Sequence, residues 1–478
     1  MTRFLRLCLT ALLVVPAGMT ASAAPGTAPD RAVPAARCGP GSLPETGLQG
    51  QVPLKDRVSG RSTLGYRCNL IRIGQYQGQG TSYVSASYGH CAYLPQRYPG
   101  SVTDTHPGVI VVDVRDPRHP RFAGTLTSPA FLAGTWETLK VNTARGLLAG
   151  ASAGVGEGVA FFDVYDVKHD CLHPKLLDSV SNTELGLPAN TIGHEGAFAP
   201  DGRTYWTSGF GAALLTAIDI SDPTTPRIAY LGGAGIINHG FSLSADGNRL
   251  YLANVQPYGL DILDVSAVQR RALPPTVTSI STLTWTDGQT GQHTIPVTWK
   301  GRPYLVFVDE GGQGAARIID IGDERHPRIV SRLKLQIHLP RYAAVRAADL
   351  QGTGSFGYEG HYCSVDRVND PTAIACGYFQ SGVRVFDVRN PLAPREIAYY
   401  NPPAQTGRND ALPGSEHANG YGDALHSPQL TLNSLTADWC SSPPRFVGSQ
   451  LWVTCQDNGF QVLQFTGNAY APPARSAS

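Results

Sequence analysis

Apolar and polar positions along this chain form short runs bounded by turn residues, and one run recurs. Each copy has a glycine or another small residue, four mostly apolar β-forming residues, an aspartate, and often a proline-containing turn. Such runs are typical of β-strands, whereas the spacing of an amphipathic helix is nearly absent. The copies are GVIVVDVRDPRHPR (108–121), GVAFFDVYD (158–166), LLTAIDISDPTTPR (214–227), GLDILDVS (259–266), AARIIDIGDERHPR (315–328), GVRVFDVRNPLAPR (382–395) and a degenerate GFQVLQFTGN (459–468).

Each copy belongs to a larger unit of four strands. Two strands precede it, as in YLVFVDE (304–310), and one follows its turn, as in REIAYY (395–400). Four short strands repeated about seven times predict an all-β fold, a seven-bladed β-propeller. After Phe465 only a tail remains, so the last blade lacks a strand. We predict that CNLIRIGQY (68–76), at the N-terminal side, completes the last blade and closes the ring.

The run GVRVFDVRNPLAP (382–394) resembles the LVIVD repeat of secreted bacterial β-propellers. The resemblance covers about residues 66–467 and implies the propeller fold. It implies no activity, because that family is defined by its blade.

The N-terminus predicts export. Residues 1–23 contain two arginines, a short apolar run and a small-residue cleavage site, as in a secretory signal peptide. We expect an Ala/Pro-rich linker and N-terminal extension over 24–65, the propeller over 66–467 and a disordered tail over 468–478. No later apolar stretch is long enough for a membrane span. The balance of 38 basic and 37 acidic residues gives no electrostatic reason to expect nucleic acid as a partner, and we predict a secreted monomer.

Cysteine usage agrees with export. Cys8 lies in the predicted signal peptide, and an even number of cysteines, eight, remains after it. In a secreted chain this favours disulfides. Two pairs would bridge neighbouring strands, and two more follow by elimination; the four pairs are Cys363/Cys376, Cys440/Cys455, Cys38/Cys68 and Cys91/Cys171.

Four consecutive predicted blades carry a histidine at one equivalent position, eight residues before the turn of the first hairpin. These histidines are His194, His239, His293 and His361, and the turn residues are Gly202, Gly247, Gly301 and Asn369. The first strand of a propeller blade is the innermost. We therefore expect the four imidazoles to converge at one mouth of the central channel.

Neutral imidazoles in a cluster bind iron, copper or zinc. We predict that His194, His239, His293 and His361 hold one transition-metal ion, iron or copper, with zinc as an alternative. Glutamates at the same mouth can orient the rings by accepting their second proton, and these candidates are Glu137, Glu195, Glu310 and Glu359. Two other interpretations stay open: histidines that bond to neighbouring blades, and histidines that line an organic-ligand pocket without metal.

The functional hypothesis is a metal-dependent oxidase or oxygenase, acting on a small-molecule or glycan ligand at the channel mouth. One alternative is a non-catalytic propeller that binds protein or glycan outside the cell. Another is a hydrolase that uses Glu195, Glu137 and Glu359 as catalytic carboxylates, which depends on their separation. The long Gly/Pro/Asn-rich insertion 401–436 could bring Glu416, His417 and His426 over the mouth.

Overall fold

Seven antiparallel sheets follow one another along the chain as the blades of a β-propeller. The computed structural model describes residues 31–96, 107–152, 159–188, 190–209, 213–233, 237–311, 313–350, 356–406, 412–418 and 435–473. The predicted signal peptide, the end of the tail and His426 lie outside these ranges.

Two short strands precede the blades, β1 (Tyr66–Cys68) and β2 (Leu70–Tyr76). Blade 1 contains β3 (Ala86–Tyr88), β4 (Cys91–Pro95), β5 (Val109–Asp113) and β6 (Arg121–Leu126). Blade 2 contains β7 (Lys140–Asn142), β8 (Leu147–Ala151), β9 (Phe161–Asp166) and β10 (Lys175–Ser181). Blade 3 contains β11 (Gly193–Phe198), β12 (Thr204–Gly209), β13 (Leu214–Asp219) and β14 (Arg227–Gly233).

Blade 4 contains β15 (Ile237–Leu243), β16 (Arg249–Gln256), β17 (Gly259–Asp264) and β18 (Thr278–Thr284). Blade 5 contains β19 (Gln289–Trp299), β20 (Arg302–Gly311), β21 (Ala316–Asp320) and β22 (Arg328–Arg332). Blade 6 contains β23 (Gly360–Val365), β24 (Ala373–Tyr378), β25 (Gly382–Asp387) and β26 (Arg395–Asn401). A small ladder follows, β27 (Gln405–Thr406) with β28 (Leu435–Thr436), and blade 7 contains β29 (Arg445–Val447), β30 (Gln450–Cys455) and β31 (Gly459–Phe465).

Helices are few and short in the described chain. The α-helices are α1 (Leu54–Val58), α2 (Pro129–Ala133), α3 (Ser266–Gln269) and α4 (Ala343–Asp349), and the 3-10 helices are Arg61–Leu64, Gln336–His338 and Pro340–Tyr342. Among the described residues, no helix has the length and apolar character to cross a membrane.

The two N-terminal strands join the last two blades. β2 pairs antiparallel with β31, from Leu70 opposite Phe465 to Tyr76 opposite Phe460. β1 adds a fifth strand to blade 6 by pairing with β26. Blade 7 thus has four strands, and its outer strand, β2, precedes blade 1 in the sequence.

The core lies between the blades, so the middle strands are apolar on both faces. One cluster joins Phe162 and Val164 of blade 2 to Tyr205 and Ile218 of blade 3, all buried. Because each sheet packs on two neighbours, buried residues run through strands such as β25 without alternation.

The aspartate of the repeat ends the third strand of a blade. Its carboxylate accepts the backbone N–H two residues on, as Asp219 does from Ser221 at 2.9 Å and Asp387 from Arg389 at 3.1 Å. In blade 2 this role falls to Asp166, three residues after the aspartate that the repeat marks, Asp163. The repeat is therefore a strand followed by an Asx-type turn.

All four predicted disulfide pairings are confirmed. The bridges are Cys38–Cys68, Cys91–Cys171, Cys363–Cys376 and Cys440–Cys455. Four disulfides are compatible with an extracellular protein, since such bonds persist in oxidising compartments.

The described part of the N-terminal extension packs on blades 5 and 6. Val33 is buried and its N–H donates to the carbonyl of Lys334 at 2.8 Å. Glu45 pairs with the buried Arg384 of blade 6. At the other end, Tyr470, in the segment predicted to be a tail, packs against Phe446 and Phe465.

Candidate metal centre

A β-bulge interrupts the innermost strand of blades 3, 4 and 6 at the predicted histidine. In each, two residues face a single residue of the second strand: His194 and Glu195 in β11, His239 and Gly240 in β15, and His361 and Tyr362 in β23. A bulge redirects the side chains of the residues that it contains. The side chains of these three histidines therefore do not follow the alternating directions of a regular strand.

Blade 5 has its bulge one residue earlier. Gly291 pairs with Asp309 and His293 with Val308, so Gln292 is the extra residue. Gln292 is fully buried and its side-chain nitrogen lies 3.2 Å from Nε2 of His361. In this blade a glutamine occupies the position that histidine has in the other three.

Glu137, His194 and His239 form the first group of possible metal ligands, with one ligand atom of each lying within 4.8 Å of the others. The Nε2 atoms of His194 and His239 are 2.7 Å apart and their rings are nearly perpendicular, at 87°. Oε2 of Glu137 lies 3.9 Å from Nδ1 of His239.

Glu137, Glu310 and His361 form a second group, in which one ligand atom of each residue again lies within 4.8 Å of the others. All three side chains are buried. Nε2 of His361 lies 3.0 Å from Oε1 of Glu137 and 3.4 Å from Oε1 of Glu310. Nδ1 of His361 lies 2.7 Å from the carbonyl oxygen of Ser441. Because a carbonyl oxygen can only accept a hydrogen bond, Nδ1 of His361 carries a proton. The other ring nitrogen, Nε2, faces the two carboxylates.

Burial and mutual charge set the ionisation of the cluster. Burial, with a contribution from His239, lowers the pKa of His194 to about 3, so this ring is neutral near pH 7. Burial opposes charge on Glu137, but His361 and His239 outweigh it and hold the pKa of Glu137 well below its ordinary value. Burial likewise opposes charge on His361, but Glu137 and Glu310 raise the pKa of His361 to about 10. Glu137 is therefore ionised and His361 protonated near pH 7, and each stabilises the charge of the other.

Trp136 turns the chain so that blade 2 supplies Glu137. Its φ of 45° lies in the left-handed region, which is rare for a bulky side chain. Its ring packs 4.8 Å from that of His194, at the position where the other blades have histidine. Glu137 is 1% exposed, so the neighbouring protein groups, not solvent, determine its charge.

His293 lies with a different set of residues. Its Nδ1 is 4.0 Å from Oε1 of Glu195, and its ring is 4.7 Å from that of Tyr362. Glu195 is fully buried, accepts a hydrogen bond from the Tyr362 hydroxyl and lies 3.0 Å from Nζ of Lys140. Burial raises the pKa of Glu195; Lys140 opposes this and Glu137 adds to it. No ligand group found among the described residues includes His293.

Tyr362 lies against two of the predicted catalytic carboxylates, and the hydrolase interpretation stays a prediction. The Tyr362 hydroxyl donates a hydrogen bond to Glu195 and lies 3.4 Å from Oε2 of Glu137, and these two buried carboxyl groups also contact each other. In glycosidases the two catalytic carboxyl groups are separated by roughly 5 Å or more. Glu359 accepts a hydrogen bond from the backbone N–H of Gly357 and interacts with Glu310 and Arg346, and burial raises its pKa to about 7.

Aromatic side chains enclose the cluster. Tyr83, Trp136, Tyr362, Phe379 and Trp439 form one buried group with Phe356 packed against it. The rings of Tyr83 and Phe379 lie 5.8 and 4.9 Å from that of His361. This wall covers His361, which is fully buried, while His194 is half-buried.

Two further groups of ligand-type side chains lie outside the cluster. His90 lies near Cys91 and Cys171, but these cysteines are joined in a disulfide and are not available. His417 of the long insertion lies with Asp438 and Asp457. Its Nδ1 is 2.8 Å from Asp457, and Asp438 accepts the backbone N–H groups of Asp457 and Asn458. These bonds attach residues 412–418 to blade 7.

The sequence pattern predicted the histidines and glutamates of the cluster, but it did not predict three further polar residues. Gln292, Tyr362 and Lys140 are buried or half-buried at the site. Two of them adjoin a predicted histidine in the sequence, which is the one signal that could have identified them. Lys140 follows Glu137 by three residues and has no such signal.

No family model and no curated protein sequence matches the chain. Solved structures do, at low identity. Hydrazine synthase from Kuenenia stuttgartiensis is 13% identical, with a TM-score of 0.49 over 82% of this chain and 97% of that one. A candidate 6-phosphogluconolactonase from Bacteroides fragilis is 10% identical, with a TM-score of 0.49 over 83% and 90%. A protein from Lactobacillus plantarum is 12% identical, with a TM-score of 0.44 over 67% and 87%. The likeness concerns the fold alone.

Proposed function

We propose that the protein is an exported metalloprotein that binds a transition-metal ion through Glu137, His194 and His239 and uses it as an oxidase or oxygenase. The observation that carries the proposal is the convergence of these three side chains, from three successive blades, within 4.8 Å; Glu137 and His239 are buried and His194 is half-buried. Two imidazoles and one carboxylate are the ligands of non-haem iron(II) oxygenases, which leave further coordination positions open for substrate and dioxygen.

The distance between the two imidazoles supports a shared cation. Their Nε2 atoms are 2.7 Å apart, so without a metal one ring donates a hydrogen bond to the other. Two nitrogens that each lie about 2.1 Å from one ion at neighbouring coordination positions are about 3 Å apart. A small outward rotation of either ring would therefore accommodate a metal, and the neutral form of His194 is the one that binds it.

The charges of the site support the same conclusion. Glu137 and Glu310 are 1% and 8% exposed. Lys140, the lysine beside the cluster, already pairs with Glu195. Buried carboxylates are costly unless a cation or hydrogen-bond donors compensate them. His361, whose pKa of about 10 keeps it protonated near pH 7, balances one of these two carboxylates, and a divalent ion can balance the other. The two imidazoles of the ligand set favour a transition metal over calcium.

The metal part of the proposal is tested on full-length protein purified without a histidine tag. The protein is stripped with a chelator, reloaded separately with Fe(II), Cu(II) and Zn(II), and its metal content measured by mass spectrometry. We expect at least one equivalent in the wild type and loss of the ion at this site in His239→Ala and Glu137→Ala. Wild-type protein that takes up none of the three ions would refute the proposal.

Two other histidines serve as comparisons. His119, exposed in a turn of blade 1, provides the control His119→Ala, which should keep the wild-type metal content. His293→Ala separates the observed geometry from a four-histidine site, since His293 lies among Glu195 and Tyr362. We expect it to retain the metal as well.

The redox part has its own measurement. Protein loaded with Fe(II) without oxygen is exposed to dioxygen, and the appearance of Fe(III) is followed by electron paramagnetic resonance. We expect oxidation at the wild-type site and none above the free-ion rate in His239→Ala. Iron that stays Fe(II) would leave a metal-binding protein without oxidase chemistry.

A further inference from the structure

We infer that the channel mouth holds a second metal ion, at His361, and that Glu137 and Glu310 bridge the two ions. This inference rests on the proposed function, because it adds an ion to the same cluster. It concerns the five side chains that form the two ligand groups, namely Glu137, Glu310, His194, His239 and His361.

One ion cannot bind all five. Two ligand atoms that are each about 2.1 Å from an ion lie at most about 4.2 Å apart. The side chains whose ligand atoms all lie within 4.8 Å of one another form two groups. One contains His194 and His239, the other contains His361 and Glu310, and both contain Glu137. Two positions that share one carboxylate fit this arrangement, and a single position does not.

Each carboxylate presents one oxygen to each side. Oε1 of Glu310 is 3.4 Å from Nε2 of His361, while its Oε2 is 3.5 Å from Nε2 of His239. Oε1 of Glu137 is 3.0 Å from Nε2 of His361, while its Oε2 lies 3.9 Å from the other ring nitrogen of His239, Nδ1. Carboxylates that bridge two ions bind in this manner, and bridged ions lie about 3.5–4 Å apart.

His361 is oriented to bind a cation through Nε2. Its Nδ1 proton is held by the carbonyl oxygen of Ser441 at 2.7 Å. The Nε2 atom then faces two carboxylate oxygens, and a metal ion can take the place of its proton there. The bulge at His361 and Tyr362 fixes the ring in this direction.

Gln292 gives an independent indication of a ligand at the second position. It is fully buried, and among the described residues its Oε1 has no hydrogen-bond partner. Its Nε2 lies 2.7 Å from Oε2 of Glu137 and 3.2 Å from Nε2 of His361. Half a turn of the carboxamide exchanges its nitrogen and oxygen. Gln292 can therefore present an oxygen ligand to an ion held by His361 and Glu310.

Metal stoichiometry tests the inference. Chelator-stripped protein is titrated with Fe(II) and, in parallel, with Cu(II), and bound metal is counted by mass spectrometry. We expect two equivalents in the wild type. The isosteric Glu310→Gln removes the carboxylate that faces both histidines, and His361→Ala removes the second imidazole. Both should reduce the count from two to one, with the remaining ion at Glu137, His194 and His239.

A second measurement does not depend on the folding of any variant. Cu(II)-loaded wild type should give the half-field electron paramagnetic resonance signal of a coupled pair. His326→Ala, exposed in a blade 5 turn, is the matched control and should keep two equivalents and the pair signal.

The outcomes separate the two proposals. One equivalent in the wild type, unchanged by Glu310→Gln, would overturn the second ion and leave the proposed function in place. No bound metal would overturn both. Two equivalents without a pair signal would overturn the bridging arrangement, because ions that share carboxylates are coupled.

Discussion

Gly240 lies so close to Gln292 that a Cβ atom on Gly240 would be 2.0 Å from the carbonyl oxygen of Gln292. Gly240 is the second residue of the bulge in β15, and Gln292 is the extra residue of the bulge in β19. Adjacent blades therefore meet backbone to backbone where the ligands lie. The same contact positions His239, which precedes Gly240, relative to Gln292.

We predict that Gly240→Ala damages both stability and metal binding. The added methyl must displace the β19 backbone, and overpacking of this kind costs about 1–3 kcal/mol. Thermal unfolding and metal content are the measurements. Gly124→Ala is the control, because in the outer strand β6 a Cβ at Gly124 would meet nothing within 4 Å. Equal melting temperatures for the two variants would contradict the prediction.

The repeat predicted most of the fold, because turn residues and buried strands leave a strong pattern in the sequence. The seven blades could be obtained in this way, and the four disulfide pairs followed from neighbouring strands and elimination. The position of the extension could not. Its contacts with blade 6, such as Glu45 with Arg384, join residues 339 positions apart, and neither residue reveals its partner.

The shared position of the histidines predicted where the candidate site lies but not which side chains meet. Counting from the hairpin turn treats the four inner strands as equivalent, and the bulge of blade 5 breaks that equivalence at Gln292. Glu310 reaches the site from the end of a second strand, β20, outside the aligned position. Bulges and strand ends depend on local backbone geometry, which the apolar pattern does not record.

The turn aspartates should make stability depend on pH. Asp387 accepts hydrogen bonds from Arg389 and Arg395, and although burial opposes charge there, the Arg389 bonds lead in lowering its pKa to about 2. Because the folded pKa is lower than the unfolded value of about 3.9, this stabilisation is complete above that value and is lost as the pH falls toward 2.

Asp387→Asn should therefore destabilise the protein at pH 6, by about 1 kcal/mol since both arginines are largely exposed. The difference in free energy of unfolding from wild type should shrink between pH 4 and pH 2. The same substitution in an Arg389→Met background should have a smaller effect. A difference that stays constant from pH 6 to pH 3 would show that the ion pairs do not contribute.

The disulfides should differ in their contribution to stability. Cys91 and Cys171 join blades 1 and 2 across 80 residues, whereas Cys440 and Cys455 are 15 residues apart. Loop-closure entropy assigns about 4.5 kcal/mol to the longer loop and about 3 kcal/mol to the shorter one. Replacing the first pair with serines should lower the free energy of unfolding in guanidinium by about 1.5 kcal/mol more than replacing the second. Equal losses would mean that local packing outweighs chain entropy.

The N-terminal extension should depend on one buried ion pair. Arg384 is fully buried, contacts Glu45 of the extension, lies 3.1 Å from Oε1 of Glu396 and stacks over Tyr399 at 4.6 Å. Glu45→Ala leaves the guanidinium with one carboxylate, and breaking a buried pair costs about 3–5 kcal/mol. We expect a loss near the lower end, because Glu396 remains, together with faster hydrogen exchange over residues 31–65.

Glu324→Ala provides the matched comparison for Glu45→Ala. Glu324 pairs with Arg249 at 2.8 Å, but both side chains are about 30% exposed, at 31% and 28%. Water can replace that pair, so its loss should cost under about 1 kcal/mol and leave hydrogen exchange in the extension unchanged. Similar losses for the two variants would mean that solvent reaches Arg384 when Glu45 is removed. The extension would then be held by its backbone contacts, such as that of Val33 with Lys334.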